Sequence, residues 1–454
     1  MCYLAVNVSV MLICLKYLLR IPMIIGVLSL ALGLSTAQNQ LRSGPMLGYN
    51  TMREVAVWVQ TDSEAEVALR YWPLSDVRAT RLSASAKTSV EEAFTATLLA
   101  DSLQEGTAYE YQVVINGQAI RTRDPLRFTT QELWAYRKDP PAFTFALGSC
   151  VYINEPAYDR PGKGYGGDYS IFNEIDSIRP SFMLWLGDNN YLRPGDFQSK
   201  SGIYHRYSHS RQVPEMQPML RNMHHYAIWD DHDYGPNDSD RSFVHKNWTR
   251  DAFEHFWANP PAHHPSLEPG IGTGFRYNDA EFFLLDNRTF RAPAACKTCI
   301  PKPLLGKGQI DWLIDALSSS KATYKFVAVG GQVLSSAKVW ENYVHNHAME
   351  RKVLLDRIVA EGIENVVFLT GDRHHTELSK MDSEGVTIYD FTVSPLTSGA
   401  AKGGATEGNR HRVEGTFVSE RNFGTITLSG PYTSRVATFR IYNESGEMIW
   451  ERTL

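Results

Sequence analysis

The chain has 454 residues, 43% of them apolar and 21% charged, with a formal net charge of −5. This is the composition of a globular protein too long for one ordinary domain, and it excludes disordered and fibrous classes. The weakly acidic balance leaves no electrostatic footprint for nucleic acid.

Lys16 and Arg20 precede the apolar stretch Ile21 to Leu34, which ends in Ser35-Thr36-Ala37. A basic flank, a short apolar core and small terminal residues describe a secretory signal peptide over 1–37, cut after Ala37. The expected location is therefore secreted, periplasmic or cell-surface. Val8 to Leu15 is also apolar, so an uncleaved anchor is the alternative; no later segment is long and apolar enough to span a bilayer. Cys2 and Cys14 leave with the signal. Cys296-x-x-Cys299 then reads as a local disulfide in a secreted protein. Cys150 is the odd thiol, and metal ligation would hold it out of disulfide exchange.

Val55, Val57 and Val59 alternate, as do Val67, Leu69 and Tyr71, then Tyr109, Tyr111 and Val113. Period-two alternation between turn clusters predicts an independent β-sandwich over 43–131, with no site residues in it. Leu103 to Tyr111 resembles the corner of a fibronectin type III domain, where a buried Tyr hydrogen-bonds back across the turn. Pro140-Pro141 marks the linker into a second domain, 140–454. There, short apolar runs alternate with helical spacing: Ile171, Phe172, Ile175 and Ile178; Ile310, Leu313, Ile314 and Leu317; Leu354 and Ile358. That alternation predicts an α/β domain. The Gly, Ser and Ala run over 388–410 reads as a mobile loop, and the stretch from Phe417 as strands finishing a sheet edge.

Four polar motifs each follow a short apolar run: Gly148-Ser149-Cys150, Leu186-Gly187-Asp188-Asn189-Asn190-Tyr191, Trp229-Asp230-Asp231-His232-Asp233 and Thr370-Gly371-Asp372-Arg373-His374-His375. Such runs read as buried strands, and sites form where loops converge past strand ends. A thiol, a phenol, carboxylates and imidazoles on one rim suggest a cluster of metal ions. Cys150, Tyr191 and His374 suit a ferric ion, while carboxylate and amide oxygens suit calcium or magnesium. Taken singly, Cys150 fits a buried small hydrophobe and Tyr191 a surface aromatic. Asp188 has two oxygens and can bridge two metals. Asp372 and His374, two apart in an extended loop, point the same way. Asp230 reads as a structural carboxylate, Asp233 as a group that could orient His232, and Asn237 as an amide ligand. His205 to Arg211 reads either as a phosphate grip or as a solvated helix face.

The ordered set is similar to the metallophosphatase domain of the alkaline phosphatase D (PhoD-like) family, within the calcineurin-like metallophosphoesterases. The resemblance covers roughly residues 140–415. It implies an α/β (α+β) fold, a two-sheet sandwich flanked by helices, and a secreted hydrolase of phosphomonoesters or phosphodiesters acting through a metal-bound hydroxide. Ferric iron with one or two calcium ions is the implied cofactor set. By position in the family pattern, Asp231 replaces an Asn ligand, His232 assists the leaving oxygen, and Arg373 contacts phosphate. Calcineurin-like enzymes place a metal-binding His near Gln332, and the exchange fits a harder, oxygen-rich second site. The implied partner is a small phosphoester. The other class of reading is a cell-surface binding protein with a fibronectin-like module and a dead hydrolase.

Overall fold

The computed structural model describes residues 41–262 and 264–454. The signal-peptide reading of 1–37 lies outside the described residues. Among those described, no helix is long and apolar enough to cross a membrane.

Strands Phe143–Gly148, Phe182–Leu186 and His224–Ile228 run parallel at the centre of a nine-stranded sheet. The last two are buried at every residue, as their unbroken apolar character requires. A second, six-stranded sheet carries Ala280–Leu284, Tyr324–Ala328 and Val366–Thr370 as parallel neighbours. The two sheets meet through aromatic side chains: Phe282 stands edge-on to Phe145 and Phe182, with ring centroids 5.2 and 5.4 Å apart. The strand alternation turns Phe283 and Val327 the other way, under helices Lys307–Ser319 and Ala348–Ala360. Helix Ile171–Ile178 packs Ile171, Phe172 and Ile175 onto the core of the first sheet. The fold is thus the expected α/β sandwich of two sheets flanked by helices. Strands Asn422–Ser429, Val436–Asn443 and Met448–Thr453 finish one edge of the larger sheet, as the composition after Phe417 predicts.

The N-terminal segment does form two facing layers. Val57, Val59, Val67, Leu69, Tyr71, Tyr111 and Val113 share one core. The hydroxyl of buried Tyr109 accepts the Gln104 N–H at 2.9 Å, closing the predicted corner. The expectation that this sandwich is independent is corrected. Its strands Leu41–Asn50, Val55–Thr61 and Thr95–Ala100 extend the far edge of the nine-stranded sheet, with Leu47 opposite His224 in parallel pairing. All seven residues of Val55–Thr61 are buried. The Val face serves the sandwich, while Ala56 and Trp58 belong to the core of the second domain. Small and aromatic residues on the second face hid its burial from a reading based on alternating valines.

Candidate metal centre

Each of the four motifs begins where a buried strand stops. Backbone geometry then turns the side chains inward. Cys150 (φ 62°), Asp188 (52°), Asp372 (67°) and His374 (53°) all adopt the left-handed conformation. For residues bearing a Cβ this costs about 1 kcal/mol or more each, and it persists only where surrounding contacts fix it. The fixing contacts are visible: Val151 N–H donates to the Asp188 carbonyl at 2.7 Å, and His374 N–H to Ser394 Oγ at 3.0 Å. Close packing of the loops explains one glycine. A Cβ on Gly371 would stand 2.6 Å from the Ser149 side chain and 2.8 Å from the Leu186 carbonyl.

Two donor sets result, sharing Asp188. In the first, Cys150, Asp188 and His374 have ligand atoms within 4.8 Å of one another. The Tyr191 hydroxyl joins them, 3.3 Å from Asp188 Oδ2 and 3.1 Å from His374 Nε2. His374 Nδ1 lies 2.7 Å from the Gly399 carbonyl, which can only accept. Nδ1 therefore carries the proton and Nε2 presents a lone pair to the cluster. In the second set, Asp188, Asp231 and His232 are mutually within 4.8 Å, as are Asp230, Asp231 and Asp372. Asp230 Oδ2, Asp231 Oδ1 and Asp372 Oδ2 are buried with no hydrogen-bond partner in the protein. Buried polar atoms are nearly always satisfied, so these orphaned oxygens fit a bound cation. All of these groups except Cys150 and Asp230 line a cavity of 750 Å³.

Electrostatics give the same answer. Burial, then the charges of Asp231 and Cys150, pushes Asp188 well above the carboxylate range. Asp372 rises too, through burial and then Asp230 and Glu341. Burial pushes the Cys150 thiol up to about 12. Such a cluster carries its anionic charges only with cations among them. Asp231 departs the other way: burial opposes its ionisation, but His232, Arg288 and the Asp238 N–H together hold it below the usual range. Burial lowers His374 and keeps it in the neutral form that ligates.

A family model described as PhoD-like phosphatase matches residues 145–430, well over half the chain. The chain belongs to the PhoD-like phosphatase family. A model of a domain of unknown function (DUF7800) matches residues 38–133. Alkaline phosphatase D of Bacillus subtilis (strain 168) is 25% identical over 330 residues, which cover 60% of this chain. The chain spans about half the length of that curated relative, 53%. A solved structure of PhoD superposes with a TM-score of 0.73 at 17% identity, covering 92% of this chain and 93% of the other. That likeness is one of fold.

Within this PhoD-like centre, Cys150, Asp188, Tyr191, Asp231, His232, Asp372 and His374 come together as the motifs predict. Asn237 is exposed on the cavity wall, and Arg373 lines it while paired to Glu407 at 2.6 Å. Gln332 is not among the donor sets: it does not line the cavity, its amide nitrogen donates to Glu377 at 2.7 Å and to Thr392 at 3.0 Å, and its Oε1 is buried without a hydrogen-bond partner. The role of orienting His232 does not fit Asp233, whose carboxylate accepts the N–H groups of Asn189, Asn190 and Asp230 and so pins two site loops together. The phosphate-grip reading of His205 to Arg211 fails as well. Arg206 is buried against Asp196 at 2.9 Å, and Arg211 stacks on Trp257. The expected loop over 388–410 is corrected at its start, because residues up to Thr392 belong to strand Val386–Thr392; the remainder is tied down where the Ala401 N–H donates to the His374 carbonyl at 2.7 Å.

Sequence reasoning missed Arg288 and Glu341. Arg288 is fully buried, paired with Asp230 and, at 2.8 Å, with Glu341; it stands 3.6 Å from Asp231. It offsets the acidic cluster from behind. A signal existed: Asp286-Asn287-Arg288 follows the buried strand Ala280–Leu284 just as the four motifs follow theirs.

Proposed function

We propose that this chain is an exported metal-dependent phosphoesterase that hydrolyses phosphomonoesters, phosphodiesters or both. The observation that carries the reading is the pair of donor sets sharing Asp188, with orphaned oxygens of Asp231 and Asp372 on residues that line one cavity and a third, of Asp230, buried beside them. Cys150, Tyr191, His374 and one Asp188 oxygen would hold ferric iron. The other Asp188 oxygen, Asp231 and Asp372 would hold calcium, with the Asn237 amide at the cavity mouth. When bound, the metals supply Lewis acidity to the phosphoryl oxygens and a nucleophilic water at working pH.

The remaining work falls to side chains of this chain. Arg373, held by Glu407 and by the Trp340 carbonyl at 3.2 Å, turns its guanidinium along the cavity wall, where it can bind a phosphoryl oxygen. His232 stacks on Tyr191, ring centroids 4.1 Å apart, which fixes the imidazole plane beside Asp188 and Asp231. From there it delivers a proton to the departing ester oxygen. Arg288 and Glu341 keep Asp230 and Asp231 in place. Export rests on the basic, apolar, small-residue pattern ending at Ala37.

Elemental analysis of purified protein, run beside hydrolysis of mono- and bis-(nitrophenyl) phosphate, tests the reading. Iron and calcium should copurify, and chelation should abolish turnover. Metal-loaded protein that cleaves neither ester would sink it. N-terminal sequencing of exported material should begin at Gln38.

A further inference from the structure

The cavity is larger than a scissile phosphate needs. Its 750 Å³ reach from the carboxylate floor to a rim made by Trp340 and by a strap over residues 158–165. Four Lys or Arg side chains line it: Arg160, Lys163, Arg193 and Arg373. Two of these are committed to the protein. Arg193 pairs with Asp159 at 3.0 Å and donates to the Ile153 carbonyl at 2.7 Å, and Arg373 pairs with Glu407. Arg160 and Lys163, among the described residues, make no hydrogen bond or ion pair.

An unpaired surface cation is ordinarily a solvated group. These two differ because they line the concavity that holds the site, and because the strap bearing them is anchored on both sides. Before it, the Asp159 carboxylate takes the Glu155 N–H, the Tyr152 hydroxyl at 2.8 Å and Arg193. After it, the Asn154 side chain clamps Gly166, donating to its carbonyl at 3.1 Å and accepting its N–H at 2.9 Å. The Tyr165 hydroxyl stands 3.0 Å from His374 Nδ1. Most acids on the same wall are already engaged. Asp188, Asp231 and Asp372 face the metal sets, Asp159 has Arg193, and Glu341 has Arg288 and Arg291; Asp238 also lines the cavity and, among the described residues, pairs with no cation. No described acid forms an ion pair with Arg160 or Lys163, which leaves both charges free to attract an anionic ligand at this part of the cavity wall.

We propose that Arg160 and Lys163 form a second anion subsite, so that the preferred substrate carries a further phosphate or carboxylate beyond the scissile phosphoester. The proposal rests on the phosphoesterase reading above. It is tested by the initial rate of nitrophenol release from two esters that share that leaving group: thymidine 5′-(nitrophenyl phosphate) with a free 3′-hydroxyl, and the same ester bearing a 3′-phosphate, whose own hydrolysis is followed separately as inorganic phosphate. At low salt the metal-loaded enzyme should favour the 3′-phosphorylated ester in kcat/KM by about three- to thirtyfold, the range expected of two partly screened ion pairs. The preference should shrink toward one as salt shortens the screening length. Arg160→Ala/Lys163→Ala should bring the ratio near one, and Arg160→Glu/Lys163→Glu should invert it. A 3′-carboxymethyl analogue separates the two anion classes: equal preference assigns a subsite for either anion, and preference for phosphate assigns one for the more highly charged group. A wild-type ratio near one, or a ratio that both double variants leave unchanged, overturns the subsite while the phosphoesterase reading stands. If neither ester is hydrolysed, the phosphoesterase reading fails and the subsite falls with it.

Discussion

His232 has a ring nitrogen within 4.8 Å of the Asp188 and Asp231 oxygens, and burial holds its pKa below the usual value, as it does for His374, so the shift does not separate a ligand from a proton donor. Leaving-group dependence separates the two roles. His232→Asn should keep near-normal metal content and lose about 10²–10⁴ in rate on an alkyl phosphate, with a much smaller loss on a nitrophenyl ester that needs no proton. An emptied metal site, or equal losses on both substrates, would place His232 among the ligands. Asp188 is shared by both donor sets. Asp188→Asn should therefore lose metal and activity together, as read by elemental analysis. Tyr191→Phe removes the phenol oxygen that stands beside Asp188 and His374 Nε2, and should bleach or shift a visible charge-transfer band; a colourless, iron-free and active wild type contradicts the iron assignment. These residues were legible because each stands in a short motif behind an apolar run. Gln332 stands outside the donor sets, since a position in a family pattern says nothing about which way a side chain turns.

At the scale of elements, strand His224–Ile228 joins the two parts of the chain through its first residue. His224 Nδ1 donates to the Gly48 carbonyl at 2.8 Å, and Nε2 accepts from the Asn50 amide at 3.0 Å. Its neighbour His225 accepts from Trp185 Nε1 at 3.0 Å and donates to the Met219 carbonyl at 3.1 Å. Each ring makes one donation and one acceptance, a pattern only the neutral imidazole satisfies. Burial lowers His224 to about 4 and His225 to about 3. The sign follows. Below an unfolded pKa of about 6.5 the unfolded chain takes up protons that the folded chain refuses, so stability is full at pH 7 and falls as pH drops. The folded pKa of His224 sets the size of its share, about 3 kcal/mol lost between pH 6.5 and 4. Urea midpoints should decline from pH 7 to pH 5, and His224→Leu should flatten part of that decline. The same variant should lose about 1–3 kcal/mol at pH 7, because the Gly48 carbonyl loses the imidazole N–H and the Asn50 amide keeps only its bond to the Thr129 carbonyl. A pH-independent midpoint would show that these rings are exposed.

At the scale of the whole molecule, the N-terminal sandwich is a structural part of the catalytic body. Trp58 is fully buried, donates to the His255 carbonyl at 2.7 Å and packs on Phe256 with ring centroids 5.6 Å apart. Arg211 lies over both Trp58 and Trp257. Trp58→Ala should cost about 3–5 kcal/mol. A chain shortened to begin at Pro140 should be insoluble or molten, because it uncovers the Trp58 socket and the open edge of His224–Ile228. A shortened chain with a cooperative thermal transition and wild-type turnover on nitrophenyl phosphate would restore the independent sandwich.

Much of this protein was determined by sequence alone. Buried parallel strands need unbroken apolar runs, and flanking helices need apolar residues every three to four positions, so the α/β sandwich and its strand-end motifs could be read directly. Both patterns report only what lies within about ten residues. The lone pair that His374 presents depends on the carbonyl of Gly399, the charge behind Asp230 on Arg288, and the second buried face of Val55–Thr61 on a helix some 200 residues away. Those pairings are set by how two sheets stack and which edge a third layer joins, and no local spacing encodes them.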